Sequence, residues 1–352
     1  MKPQPLSHLA TGLCAELTGH DTEVRGVSTD SRTIAPGELF VALAGPNFDG
    51  HAWVATAAAR GACAALVAHP QPLDLPQLLV PDTRLALGRL GALARAAFRG
   101  PVIGLTGSNG KTTLKEMSAA ILRRRARVLA TRGNLNNDIG VPLTLLGLDE
   151  DHDCAVIEMG ANHPGEIAYL TALVQPSVAI LNNAGPCHLE GFGSLDGVAR
   201  AKGEIFSGLG PQGVAILNAD DPNVSQLVPD EKRLFYGVQS IKDAPVSPGN
   251  QELAYCGKCG AEVAFKTIFY GQIGHWYCPS CGNERPTPQM VATDVEVFAT
   301  SSRFKLNFGN VTEDCVLPLP GLFNVYNALA AACAAHHLGV SNQAIRYGLK
   351  EY

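Results

Sequence analysis

The chain carries little charge and little aromatic area for its size. Charged residues account for 17% and aromatic residues for 6% of 352 positions, with two tryptophans and four methionines. A formal net charge of -5 offers no general attraction to nucleic acid or to an anionic membrane, so neither is an expected partner. No stretch reaches the ~18 consecutive apolar residues of a membrane span, and the opening Met1-Lys2-Pro3-Gln4-Pro5 lacks an apolar leader core. A cytoplasmic protein without a membrane span is expected. Internal repeats and low-complexity tracts are missing as well. What is present is a 46% hydrophobic composition over a length that predicts two or three domains, each able to bury a core.

The ten cysteines divide into two groups. Cys14, Cys63, Cys154, Cys187, Cys315 and Cys333 are scattered, mostly among apolar or small residues, as reduced core cysteines are. The other four form Cys256-Gly257-Lys258-Cys259 and Cys278-Pro279-Ser280-Cys281, each followed by glycine, with eighteen residues between the pairs. That spacing lies in the zinc-ribbon range, and four thiolates make a closed structural Zn2+ site with no open position for catalysis. Redox dithiols and an iron-sulfur cluster are the competing readings. The hairpin-like run Phe265 to Tyr277 between the pairs favours the ribbon, and His275 is superfluous as a fifth ligand.

The densest signal is Gly104-Leu105-Thr106-Gly107-Ser108-Asn109-Gly110-Lys111-Thr112-Thr113, which follows the apolar Pro101-Val102-Ile103 and opens a helix-like segment. Gly107 and Gly110 let backbone N-H groups close around phosphate oxygens, the helix N-terminus adds partial positive charge, Lys111 adds a full one, and the Thr112 hydroxyl can ligate Mg2+. A nucleoside triphosphate is the implied ligand, with Thr106 to Thr113 as its binding residues. The usual first glycine of such loops is replaced by Leu105. Leu114, Met117 and Ile121, spaced by three and four, belong to the core face of the helix that follows.

Residues 1 to 98 alternate strand-like runs at 38–43 and 64–68 with helix-like runs at 52–61 and 85–98, a compact α/β unit closed by Gly100-Pro101. Beyond it, apolar strand candidates recur at 102–105, 154–157, 178–181 and 214–217, separated by helix-length segments. Such continuous apolar strands predict a mainly parallel sheet covered on both faces, with ligands at the carboxyl ends of the strands. The fold class is therefore α/β: a small N-terminal domain over 1–98, then a phosphate-loop central domain over 99–352 with a zinc-ribbon insertion at 251–290. Residues 237–255 have linker composition, 293–298 and 303–308 read as a hairpin pair, and 327–338 reads as a helix ended by Gly339.

Polar groups follow each predicted strand. Glu158 can reach a metal held by Thr112, and its hard oxygens suit magnesium; His188 could be a second metal or phosphate ligand, though histidine is a less usual one. The plain alternatives are a helix cap for Glu158 and a surface loop for His188. Asn218, Asp220 and Asp221 could hold adenine or ribose, or could form a turn with Pro222. Lys202 reads locally as a helix-surface lysine; Arg123, Arg124, Arg125 and Arg127 could bind phosphate, but a solvated helix face is the better reading.

Taken together, these residues resemble the Mur ligases of bacterial cell-wall synthesis. The resemblance is carried by Ser28-Thr29-Asp30-Ser31-Arg32, Phe48-Asp49-Gly50-His51, Thr106 to Thr113, Gly133 to Pro142, Glu158-Met159-Gly160-Ala161-Asn162 and His188-Leu189-Glu190-Gly191-Phe192, in that order. The form Thr106-Gly107-x-x-Gly110-Lys111-Thr112 is how this family writes its phosphate loop. Residues 26–223 look like the branch that joins D-alanyl-D-alanine to a UDP-muramyl-tripeptide. The resemblance implies a first domain that binds the uridine nucleotide through Ser31, Arg32, Asn47, Phe48, Asp49 and His51, and a central domain that binds MgATP. It implies that Asn134, Asn136, Asn137 and Asp138 face the substrate carboxylate and γ-phosphate. It also promotes Lys202, because the matching lysine of many Mur ligases is carbamylated and helps hold a second magnesium. Lys111, Glu158, His188 and Lys202 are then the catalytic set, and the reaction is ATP-dependent amide formation through an acyl phosphate.

Residues 255–352 are similar to a different relative, the zinc-ribbon Mur-ligase-like subunit of lipid II isoglutaminyl synthase, which amidates D-glutamate with ammonia from a glutaminase partner. Pro318 to Ala328 and Gly274 to Tyr277 carry that second likeness. Both families continue into a C-terminal ligase domain that is expected to be absent from these residues. A chain that binds ATP without turning it over is therefore a third reading.

Overall fold

The computed structural model describes residues 2–228, 232–242 and 253–352. Much of the linker-like composition at 237–255, and positions 251–252 of the predicted insertion, lie outside them. By its contacts the chain forms two compact units, Met1–Arg99 with Asn134–His152, and Gly100–Gly133 with Asp153–Tyr352.

The first unit is built on a five-stranded sheet in the order Glu16–Thr18, Gln77–Leu79, Ala64–Val67, Glu38–Val41, Gly26–Ser28. Only the Glu16–Thr18 pairing is antiparallel. Ala64–Val67 is buried along its whole length, as a central strand covered on both faces must be. The helix Thr83–Ala97 starts where the Asp82 carboxylate accepts from the N-H groups of Arg84 and Leu85, and it lays Leu87 and Leu90 onto Leu39 and Leu66.

Residues 134–152, read from sequence as part of the central domain, pack with this first unit instead. Their helix Gly140–Leu145 lies against Thr83–Ala97, where Gly91 leaves the room: a Cβ there would come within 2.8 Å of Pro142 Cα. Arg84 ion-pairs with Asp138, and Leu146 completes the apolar core.

The second unit carries a nine-stranded sheet. Its order is Val128–Ala130, Cys154–Glu158, Val102–Thr106, Val178–Leu181, Val214–Asn218, Arg233–Val238, Met290–Val297, Ser302–Phe308, Val311–Leu317. The first seven strands run parallel, and the last two are added through antiparallel pairings. Burial follows this division: 102–106, 154–158 and 178–181 are buried throughout, whereas Ser302–Phe308 alternates buried and exposed. The predicted hairpin at 293–308 thus extends into a third strand, and the predicted helix at 327–338 begins earlier, at Leu322. That helix, Leu322–His337, packs against the phosphate-loop helix Lys111–Leu122. Ala264–Tyr270 and Ile273–Tyr277 form a separate antiparallel hairpin. Among the described residues no helix is long and apolar enough to cross a membrane.

Candidate active site

Strand Val102–Thr106 delivers the chain to the loop, and helix Lys111–Leu122 leaves it. Gly110 makes the turn at φ 78°, a left-handed conformation that a side chain resists. Space forbids one as well, since a Cβ at 110 would lie 2.6 Å from Asn327 Oδ1. Gly110→Ala is therefore expected to cost roughly 1–3 kcal/mol and to distort the loop. Chemical denaturation beside a nucleotide titration checks this, and wild-type values in both would refute it.

The loop is held from the neighbouring strand end. Ser108 N-H donates to Asn183 O at 3.1 Å, Asn109 N-H donates to Asn183 Oδ1 at 3.0 Å, and Ser108 Oγ donates to Gly185 O at 2.8 Å. Asn182 Nδ2 donates to Asn327 Oδ1 at 2.6 Å, while Tyr236 OH donates to Asn182 Oδ1 at 2.8 Å. Asn182, Asn183 and Asn327 thus shape the loop. Asn327 was not predicted; the signal was its place three residues after Asn324 in the Pro320-Gly321 segment.

Lys111 folds over the loop, with Nζ donating to Gly107 O at 2.8 Å and Ser108 O at 3.3 Å. Burial lowers its ammonium below the ordinary lysine value, opposed by the charge of Glu158. Thr112 Oγ1 donates to Glu158 Oε1 at 3.4 Å. Glu158 is 1% exposed and ends its strand, and the next helix starts only at Glu166, so it is not a helix cap. A buried carboxylate paired with a loop threonine is a donor set of hard oxygens, which fits magnesium. His188 is exposed, at φ 47° just before the short helix Leu189–Phe192.

Lys202 corrects the reading of a helix-surface lysine. It points inward from helix Leu195–Gly203, is 1% exposed, and sits 5.6 Å from the Phe192 ring centre. Burial lowers its ammonium below the ordinary value, and the charge of Lys111 acts in the same direction. Arg123, Arg124, Arg125 and Arg127 are exposed, but helix Lys111–Leu122 ends before them, so they lie on the turn after it and not on a helix face.

Asn218, Asp220 and Asp221 are buried and tied into the protein. Asp220 ion-pairs with Arg285 and accepts from Tyr326 OH at 2.6 Å and Val238 N-H at 2.7 Å. Asp221 accepts from Ala184 N-H at 3.1 Å and Asn223 N-H at 3.0 Å. Asn218 Oδ1 accepts from Asp220 N-H at 3.0 Å. These bonds, with the burial, tie all three side chains into the protein, and Asp221 N-H donating to Asn218 O closes the turn that leads into Pro222.

In the first unit, Ser31 is buried, and Arg32 is exposed with Nη2 2.7 Å from Asp30 Oδ2. Those hydrogen bonds hold the Asp30 carboxyl down to about 2. Asn47, Phe48 and Asp49 are exposed, and His51 is buried. His51 Nδ1 donates to Asp49 Oδ1 at 2.6 Å, while its Nε2 accepts from Ala68 N-H at 2.9 Å. Both ring nitrogens are spent, so the group Asp49, His51 and His69 has no free imidazole lone pair on His51 for a metal. Asn134, Asn136, Asn137 and Asp138 lie in this unit, where Asn137 Oδ1 accepts from Gly140 N-H at 2.9 Å to start the helix after it.

The four thiols of Cys256, Cys259, Cys278 and Cys281 lie within 4.8 Å of one another. Each Cys-x-x-Cys-Gly turn closes in the same way, Gly260 N-H donating to Cys256 O at 2.7 Å and Gly282 N-H to Cys278 O at 3.0 Å. Burial opposes ionisation of Cys256, but the N-H groups of Cys259 and Lys258 and the Asn283 amide outweigh it and draw the thiol down to about 6. His275 is turned away, its Nε2 donating to Val238 O at 2.9 Å. The six other cysteines are free thiols; Cys154, Cys315 and Cys333 are buried, whereas Cys14 is exposed and Cys63 and Cys187 are half-buried.

The family model described as "Mur ligase middle domain" matches residues 105–253, and that described as "Mur ligase family, catalytic domain" matches residues 23–96. The UDP-N-acetylmuramoyl-tripeptide--D-alanyl-D-alanine ligase of Escherichia coli (strain K12) is 43% identical over 344 residues, covering 98% of this chain and 67% of the relative. The crystal structure of MurF from Acinetobacter baumannii superposes with a TM-score of 0.80 at 37% identity, over 99% of this chain and 68% of that one. MurF ligase from Thermotoga maritima, solved in complex with ADP, superposes at 0.71 with 26% identity, over 94% of this chain and 66% of that one. The chain therefore spans about two thirds of the length of these three relatives. Motif order, phosphate-loop geometry and these likenesses agree: the chain belongs to the Mur ligase family.

Proposed function

We propose that the chain is an ATP-dependent ligase that joins D-alanyl-D-alanine to the tripeptide carboxylate of a UDP-muramyl precursor. The observation that carries this reading is the buried Glu158 hydrogen-bonded to Thr112 at the mouth of a phosphate loop, in a chain whose relatives are named for forming that bond. Thr106 to Thr113 cradle the phosphates, and Thr112 and Glu158 hold magnesium, with His188 as a further ligand. Magnesium, when bound, neutralises charge on the phosphates of ATP. Lys111 leaves its loop carbonyls to meet the transferring phosphoryl group. Burial keeps more of Lys202 as the neutral amine, whose nitrogen adds to carbon dioxide and releases a proton to give a carbamate; that carboxylate would help hold a second magnesium.

In the first unit, Ser31, Arg32, Asn47, Phe48, Asp49 and His51 receive the uridine nucleotide, and Asn134, Asn136, Asn137 and Asp138 serve the substrate carboxylate. A tripeptide carboxylate oxygen attacks the γ-phosphorus and ADP leaves. The amine of the dipeptide then attacks the acyl carbon, phosphate leaves, and the amine gives up its proton. Nothing in these steps bonds the protein covalently to substrate, so positioning and charge stabilisation carry the rate.

The four thiols fit a structural Zn2+, because their mutual distances suit a tetrahedral site and the turn N-H groups favour thiolate. The same cluster favours a second reading, amidation of a lipid-linked D-glutamate with ammonia from a glutaminase subunit. Phosphate release measured with UDP-muramyl-tripeptide and either D-alanyl-D-alanine or ammonia separates the two. Release that requires the dipeptide is expected. Release with ammonia alone supports the second reading, and none with either acceptor refutes turnover by this chain.

A further inference from the structure

Gln272 is buried at the turn of the thiol-bearing hairpin, between Ala264–Tyr270 and Ile273–Tyr277. Its Nε2 donates to Ala184 O at 3.2 Å and to Asp221 Oδ2 at 3.5 Å, the same carboxylate oxygen that accepts from Ala184 N-H at 3.1 Å. The next residue, Gly185, exchanges two hydrogen bonds with the phosphate-loop serine: its N-H donates to Ser108 Oγ at 3.1 Å, and its carbonyl accepts from Ser108 Oγ at 2.8 Å. A side chain from the hairpin is thus one residue away from a direct grip on the loop.

The other end of the hairpin carries the thiols, and the space between is bridged at several points. Gly274 N-H donates to Asp220 O at 2.9 Å, and Trp276 Nε1 donates to Ala219 O at 3.0 Å. Gln226 Oε1 accepts from Gly257 N-H at 3.0 Å and from Asn283 Nδ2 at 2.6 Å, one donor from each cysteine turn. Trp276 packs with Cys256, Cys278, Ala254 and Val263 in one small apolar cluster. The order of the thiol turns therefore governs the placement of Trp276 and Gln226, and through the 219–226 segment and Gln272 it governs Ala184.

We propose that Gln272 is a positioning residue for the phosphate loop, and that the hairpin links metal occupancy of the four thiols to nucleotide affinity; the inference rests on the nucleotide site proposed above. A phosphate loop binds through N-H groups fixed in direction, so losing one anchor of its flanking strand end weakens binding by roughly tenfold. Linkage makes the effect mutual: the factor by which metal tightens nucleotide binding is the factor by which nucleotide tightens metal binding.

Calorimetric titration of the full chain with the magnesium complex of a non-hydrolysable ATP analogue tests this, with zinc content and tryptophan emission followed in parallel. The zinc-loaded Gln272→Leu variant is expected to keep its full metal and its wild-type emission but to bind the analogue roughly tenfold more weakly. Stripping zinc from the wild type should weaken binding by a similar factor, whereas stripping the variant should add less than about twofold, since the link is already cut. Wild-type affinity in zinc-loaded Gln272→Leu overturns the proposal, as do losses that multiply independently. Should the stripped protein unfold, the zinc-loaded variant decides alone. A zinc-loaded wild type that binds no analogue refutes the nucleotide site itself, a result distinct from a variant that binds normally.

Discussion

Lys111→Ala is expected to lower affinity for MgATP by about 10- to 100-fold, the worth of a charge-assisted contact to phosphate, and to reduce turnover by on the order of 10²–10³-fold. Two features set this magnitude. Lys111 is the full positive charge that the loop itself supplies, and burial already holds its ammonium below the ordinary lysine value, so a phosphate that restores a counter-charge is strongly favoured. The fold should survive, because the lysine contributes only hydrogen bonds to the Gly107 and Ser108 carbonyls, and its loss should change stability by no more than about 1 kcal/mol. Calorimetric nucleotide titration with a parallel denaturation curve reads both quantities. An unchanged affinity would remove the loop from the nucleotide site, and a collapsed stability would mean the lysine is structural.

The second large effect concerns the thiols. Cys256→Ser, or removal of metal with a chelator, is expected to lose one zinc per chain and to destabilise the hairpin region by roughly 4–5 kcal/mol or more, the range of a lost structural metal. The reason lies in how small the apolar cluster around the thiols is. Its own apolar cluster is Ala254, Cys256, Val263, Trp276 and Cys278, too small a core to order a hairpin and two loops unaided. Tryptophan fluorescence reports the change: Trp276 is 1% exposed and Trp53 is 48% exposed, so the blue-shifted part of the emission belongs to Trp276 and should shift to the red. A purified chain without zinc, or one whose emission and melting are untouched by Cys256→Ser, would overturn the metal assignment.

Much of the second unit was legible because its strands are buried on both faces and therefore read as uninterrupted apolar runs, as in 102–106, 154–158 and 178–181. Shorter or mixed strands escaped. Val128–Ala130 follows a run of arginines and is only three residues long, and Val311–Leu317 carries Thr312 and Asp314 on its exposed side and interrupts its buried side with Glu313. Local signals also misplaced 134–152, since its membership in the first unit depends on a close approach of Gly91 to Pro142 that no spacing rule encodes. In the candidate site, the loop from Thr106 to Thr113 was plain because each residue type has a chemical reason to be there. Lys202, by contrast, looked like an ordinary surface residue: a single lysine in a short helix carries no mark of burial, and only the packing around Phe192 turns it inward. Gln272 acts through partners distant in sequence, which leaves no local trace, and the spacing of Asn327 from Asn324 says nothing of its distant partner Asn182.

The passage of residues 134–152 back to the first unit has a bearing on biosynthesis. Leu146 lies in one apolar cluster with Leu39, Leu66 and Leu90, so a nascent chain that has reached Arg99 still lacks part of the wall of its first core. At roughly 5–20 residues per second, the ribosome needs about 3–10 s more to supply it. During that interval the phosphate loop and its helix have already been made, and the early fragment keeps apolar surface open to water. Cutting the gene at the 99/100 boundary would make that transient state permanent. A fragment meant to fold must instead carry the returning segment, joined across the excised 100–133 stretch.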